Sequence, residues 1–166
     1  KYLSKISKSQ GTGDIKKLYT WEYENSSIIC YGWYDDENGF VDDFYGYDFL
    51  NNDNDPIDDH GHGTHCSGTI AGVHNNFGVA GVIAKAKILP IKFLGPKGGS
   101  TAGAIKSIDY ATSRGVDIMS NSWGGGGKSL LLQEAIERAA DAGILFIAAA
   151  GNHRANNDER ATYPAN

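Results

Sequence analysis

Apolar positions in the second half of the chain follow two alternating periods. Ile88-Leu89-Pro90-Ile91-Lys92-Phe93-Leu94 is a short apolar run that predicts a buried strand ended by Gly95. Pro90 sits awkwardly in it, because proline lacks the amide that a central ladder requires. From Ala102 to Arg114, Ile105, Ile108 and Ala111 or Thr112 recur at helical spacing, and Gly115 suits the C-terminal stop. Val116-Asp117-Ile118-Met119-Ser120 predicts the next strand, which runs into Ser122-Trp123-Gly124-Gly125. Ser129 can cap a helix through Ala142, with Leu132, Ile136 and Ala139 on one face and Gly143 as its stop. Ile144 to Ala150 is a continuous apolar strand closed by Gly151-Asn152.

Strand, helix, strand, helix, strand at this spacing predicts right-handed crossovers and a parallel sheet, an α/β fold. Ligands of such sheets bind outside the carboxyl ends of the strands. Leu94-Gly95, Ser122-Trp123-Gly124 and Gly151-Asn152 all fall at that edge. A cleft is therefore expected there, lined by glycines that let a ligand lie against backbone.

At 166 residues, with 40% hydrophobic and 21% charged residues, the chain has the make-up of one globular domain. Its 22 glycines are nearly twice the usual share of about 7%. Twenty acids against fifteen bases argue against nucleic acid or an anionic membrane as partner. The longest strongly apolar run, Ile144 to Ala150, is far short of the roughly 20 residues of a membrane-spanning helix. No signal-peptide pattern is visible from Lys1, and nothing indicates an oligomeric state. Cys30 and Cys66 are too few for a disulfide framework, and their pairing stays open.

Charge is unevenly spread. Between Leu18 and Ala84 there is no Lys or Arg but there are twelve acids, ten of them from Asp35 to Asp59. Such a run is either a solvated surface or a cation site. Asp36, Asn38 and Asp42 or Asp43 converge around Gly39, and hard oxygen donors of this kind suit calcium better than zinc.

The densest chemical signal is Asp58-Asp59-His60-Gly61-His62-Gly63-Thr64-His65-Cys66-Ser67-Gly68. It allows three readings. One is a polar loop. Another is a zinc centre, since His60, His62 and His65 keep the H-x-H-x-x-H spacing of some dinuclear hydrolases, although Thr64 stands where those carry Asp. The last places His62 at a helix N-terminus as a general base, with small residues behind it for close packing.

The ordered motifs resemble those of the subtilisin-like serine proteases. His62-Gly63-Thr64-His65-Cys66-Ser67-Gly68-Thr69 is similar to that family's active-site histidine motif. Ser120-Asn121-Ser122-Trp123-Gly124 resembles its substrate-binding strand, and Ala148-Ala149-Ala150-Gly151-Asn152 its oxyanion-asparagine segment. Tyr163-Pro164-Ala165 resembles a later turn, and the acidic stretch from Asp36 to Phe49 an insertion found in many members. The resemblance implies a subtilisin-like three-layer fold with a mainly parallel sheet, here incomplete. It implies His62 as the general base and Asn152 as the oxyanion donor. Ser122, Trp123 and Gly124 would pair with an extended polypeptide substrate. Leu94 would wall the second subsite, Ala149, Ala150 and Gly151 the primary pocket, and Ala102 the fourth subsite. Asn76, in His74-Asn75-Asn76-Phe77-Gly78-Val79, belongs to a stretch that looks like the family's second calcium loop. A secreted or secretory-vesicle location follows from the same resemblance.

Two parts of the triad do not match. No serine before Asn166 lies in a G-T-S-M-A-type context. The aspartate segment, D-[ST]-G, has its nearest counterpart in Gly11-Thr12-Gly13-Asp14, where Gly11 takes the acid's place and Asp14 lies three residues late. Residues 1–34 are accordingly set apart as a divergent segment and 35–166 as a partial catalytic domain. Two accounts fit: a fragment of a serine endopeptidase, or a non-catalytic relative that keeps the peptide groove. On either, the 166-residue chain by itself is expected to hydrolyse nothing at an enzymatic rate.

Overall fold

The computed structural model describes residues 4–7, 18–23, 26–30, 39–40 and 43–166, the first three stretches as backbone only. The proposed Gly11 and Asp14, together with Asp36, Asn38 and Asp42, lie outside the described residues. Strands β1 (Ser4–Ser7), β2 (Leu18–Tyr23) and β3 (Ser26–Cys30) form an antiparallel sheet with β2 central. Ser4 pairs with Trp21, and Tyr19 with Cys30.

After these come β4 (Tyr47–Asp48), α1 (His62–Ala71), β5 (Ile91–Lys92), β6 (Leu94–Gly95) and β7 (Gly98–Gly99). The last stretch holds α2 (Thr101–Ser113), β8 (Ile118–Asn121), α3 (Leu130–Asp141) and β9 (Leu145–Ala148). The helices predicted from periodicity form where expected. Ser129 accepts a hydrogen bond from the Leu132 amide at 3.3 Å, and Ser100 one from Gly103 at 3.0 Å. Both meet the need of a helix start for side-chain acceptors.

The predicted strand at residues 88–94 is broken into pieces. Pairing begins only after Pro90, where Ile91 and Lys92 lie parallel to Tyr47 and Asp48. Leu94–Gly95 then leaves to pair antiparallel with Gly98–Gly99. A proline that offers no amide, followed by a short glycine-rich hairpin, accounts for both ends.

β8 and β9 are parallel, with Ile118 opposite Leu145 and Asn121 opposite Ala148. The expected parallel sheet thus exists as two pairs, β4–β5 and β8–β9, and no ladder joins β5 to β8 among the described residues. Both pairs pack on one core. Ala104, Ile108 and Ala111 of α2 meet Leu132, Ala135 and Ala139 of α3, with Met119 and Ile144 beneath and Ile91, Phe93 and Phe146 against them. Burying a side chain such as Ile108, 3% exposed, contributes about 1.5–3 kcal/mol. The exposed Asp109–Arg138 pair between the same helices, bidentate at 2.8–3.1 Å, contributes about 0–1 kcal/mol. Apolar contact therefore decides how the helices pack.

Alternation along β8 and β9 sends Met119 and Phe146 to that core. Ile118, Leu145 and Ile147 are about half exposed on the other face. No helix among the described residues is long and apolar enough to cross a membrane.

Candidate active site

His62 is the first residue of α1, and its exposed ring projects from a helix that buries no side chain among the described residues. Gly61, the residue before it, has φ +90° and carries no capping side chain. A helix start leaves four amides without intrahelical partners. Asp58 supplies the acceptors instead. Its Oδ1 accepts from the His60 and Gly61 amides at 2.9 and 2.8 Å, and its Oδ2 from the Thr64 amide and hydroxyl at 2.8 and 2.7 Å. The Thr64 amide, the His60 amide, the Thr64 hydroxyl and the Gly61 amide together hold this carboxyl well below the usual carboxylate range.

The segment carrying Asp58 is tied to β5. Lys92 Nζ donates to the Ile57 carbonyl at 3.0 Å and lies 3.2 Å from Asp59 and 3.3 Å from Asp48. Burial works against the ammonium, but the bonds to Asp59 and Asp48 outweigh it and raise its pKa above the ordinary lysine value. The side chain of Asp48 is fully buried. Burial pushes its carboxyl up, yet the amides of Asn51 and Leu50, then Lys92, outweigh burial and leave its pKa lowered.

At the strand edge, the β8–β9 register sets Ser122-Trp123-Gly124 beside the segment that leaves β9, and the Ala149 amide donates to Asn121 at 3.0 Å. Ala149, Ala150, Gly151 and Asn152 follow, all exposed. The turn at 162–165 lies against both: Gly125 donates to the Tyr163 carbonyl at 3.0 Å, and a Cβ on Gly151 would lie 3.8 Å from Thr162 Cγ2; ahead of that turn, Asn157 Nδ2 donates to the Ala150 carbonyl at 3.1 Å. A Cβ on Gly124 would meet the Tyr163 carbonyl at 3.3 Å and Thr162 Cγ2 at 3.5 Å. A bulky residue at 124 would therefore push on this turn.

Trp123 points inward. Its indole donates to Asn121 Oδ1 at 3.0 Å and its ring stands edge-on to Phe93 at 5.1 Å, which links the strand edge to the Leu94 segment. Leu94 is 39% exposed, and Ala102 is exposed in the first turn of α2.

Three expectations meet the structure unevenly. The histidines do not converge as a zinc centre: the His60 and His62 rings are 6.4 Å apart, and no group of three His, Cys, Asp or Glu among the described residues is placed to hold a metal. The acidic stretch, which has no base near it in sequence, gains bases in space. Arg114 lies 3.6 Å from the buried Asp43, and Lys92 reaches Asp48 and Asp59. Crossovers thus bring distant cations to it. Asn76 is exposed in the loop after α1.

Cys66 is a free thiol, its sulfur 3.9 Å from His62 Nε2. Among the described residues no serine hydroxyl is hydrogen-bonded to His62, and no carboxylate forms an ion pair with it. Sequence reasoning missed Asp58 and Lys92. The available signal for Asp58 was an acceptor three residues ahead of a glycine that cannot cap; Lys92 had none.

A sequence model of the subtilase family matches residues 14–166. Subtilisin-like protease 1 of Plasmodium berghei is 40% identical over 120 residues, which cover 71% of this chain and 20% of that protein. Subtilisin DY of Bacillus licheniformis is 38% identical over 122 residues, 72% of this chain and 44% of the relative. The major intracellular serine protease of Bacillus subtilis is 44% identical over 117 residues, 67% of this chain and 36% of the relative. The chain spans a fifth of the first of these and under half of the other two.

Proposed function

The chain belongs to the subtilase family, and from that premise we propose that it supplies the histidine and the oxyanion side of a serine endopeptidase. The observation that carries this reading is the parallel register of β8 and β9, which sets Ser122–Gly124 beside the segment bearing Asn152. In the proposed reaction an extended polypeptide pairs through its backbone with Ser122–Gly124, so recognition is largely tolerant of sequence. Ala149, Ala150 and Gly151 border the primary side-chain pocket, Leu94 the second and Ala102 the fourth.

His62 accepts the proton of a serine hydroxyl as it attacks the scissile carbonyl, then returns it to the leaving amine. The Asn152 amide donates to the oxyanion that forms. A serine-directed fluorophosphonate probe is expected to label the full-length protein at a serine outside residues 1–166 and to leave this stretch unlabelled. Labelling within residues 1–166 would overturn the proposed triad. Absence of labelling, with affinity for a peptide inhibitor retained, would favour a peptide-binding relative without catalysis.

Calcium is proposed for the acidic insertion. Carboxylate and amide oxygens fit this ion by chemistry. Asp43 already faces Arg114, so Asp36, Asn38 and Asp42 are the preferred ligands, with Asn76 assigned to a second loop. Removing calcium with a chelator is expected to lower the melting temperature of the full-length protein, and an unchanged temperature counts against the ion. Export or storage in a secretory vesicle is proposed alongside, although the relatives include one named as intracellular.

A further inference from the structure

A general base is useful only where it is held, and the start of α1 is held by polar anchors. The Asp58 carboxylate bonds residues on both sides of His62, namely His60 and Gly61 before it and Thr64 after it. The backbone of His62 is thereby enclosed in a ring of charge-assisted hydrogen bonds, which are shorter and stronger than neutral ones. A Cβ on Gly63 would lie 3.6 Å from Asp58 Oδ2, so the carboxylate rests directly against the first turn.

Asp58 is itself held from both neighbours. Lys92 binds the carbonyl of Ile57 on one side and the carboxylate of Asp59 on the other. Its third partner, Asp48, is fixed by the amides of Leu50 and Asn51 and the Asn51 side chain, at 2.7–2.9 Å. Lys92 thus ties the 57–59 segment to the β4–β5 pair, and Asp58 within that segment bonds the residues flanking His62.

We propose that Asp58 and Lys92 are positioning residues for His62: Lys92 docks the 57–59 segment on β5, and Asp58 locks the N-terminus of α1 around the histidine. The catalytic consequence rests on the endopeptidase reading; the positional one does not. Asp58→Asn exchanges one acceptor oxygen for a donor and cannot satisfy all four partners. Lys92→Met keeps the stem and removes the charge, and Lys92→Arg restores a cation.

In the full-length protein, Asp58→Asn and Lys92→Met are each expected to lower kcat by about 10²-fold with KM nearly unchanged, the cost of a small misplacement of a catalytic group. Lys92→Arg is expected to recover most of the loss, which a general weakening of the fold would not predict. The His62 Cε1–H resonance is expected to be single and sharp in the parent and shifted or split in the two damaging variants. Thr64→Val, which removes only the hydroxyl bond to Asp58, gives a milder form of the same shift and serves if Asp58→Asn does not fold.

Wild-type kcat retained in folded Asp58→Asn and Lys92→Met would overturn the proposal. So would a His62 resonance indifferent to all of these changes. An inactive parent would overturn the endopeptidase reading alone, because the resonance still decides the positional claim.

Discussion

Replacing His62 by alanine is expected to lower the turnover of peptide hydrolysis by the full-length protein by about 10⁶-fold, the size of loss measured for the corresponding change in subtilisin itself. The physical reason is that the attacking hydroxyl is a weak nucleophile until a base removes its proton, and the leaving amine departs poorly until that proton is returned. The fold should hardly notice. His62 is exposed, has the Cys66 sulfur as its one hydrogen-bonding neighbour among the described residues, and sits at a helical position that alanine suits. The hydrogen bonds of Asp58 go to backbone amides and to Thr64, none to the His62 ring, so they survive the change. Measured kcat and melting temperature therefore separate chemistry from stability. Hydrolysis that persists in a folded His62→Ala protein would mean that another group is the base.

Asn152→Ala is expected to reduce kcat by about 10²–10³-fold while KM changes little, again the magnitude measured in subtilisin for its oxyanion-hole asparagine. The donor acts on charge that develops only in the transition state, which is why kcat and not substrate binding carries the loss. An asparagine after a strand could instead be a turn residue that bonds its own backbone. The side chain of Asn152 forms no hydrogen bond among the described residues, which leaves its amide available to a ligand. Its neighbours do the local structural work: Asn157 holds the Ala150 carbonyl, and Asn166 Nδ2 holds the Asn157 carbonyl. Alanine at 152 should thus leave the melting temperature in place. A rise in KM at constant kcat would assign Asn152 to ground-state binding and remove it from the oxyanion hole.

Elements whose signal is local were legible in the chain. α3 begins after Ser129 and ends before Gly143 because a hydroxyl acceptor and a glycine at φ +80° act within one turn. α2 and the strands β8 and β9 followed from periodicity for the same reason. The segment at 88–94 was harder. Its apolar run suggested one strand, while Pro90 and the Gly98–Gly99 hairpin cut it into two short pieces with different partners.

The sequence by itself determined α2, α3 and the parallel strands β8 and β9, with the glycine-bearing segment that follows each of these strands. These depend on residues close together in the chain, where spacing and side-chain chemistry act directly. Tertiary structure alone decided which charges meet. Lys92 and the 57–59 segment are 33 and 35 residues apart at their two contacts, and Arg114 reaches Asp43 across four strands and two helices. An acidic stretch without a neighbouring base became partly neutralised, and an ordinary strand lysine became the anchor of the histidine loop. Such pairings follow from where crossovers return the chain, and Coulomb attraction responds to distance in space, not to separation along the chain.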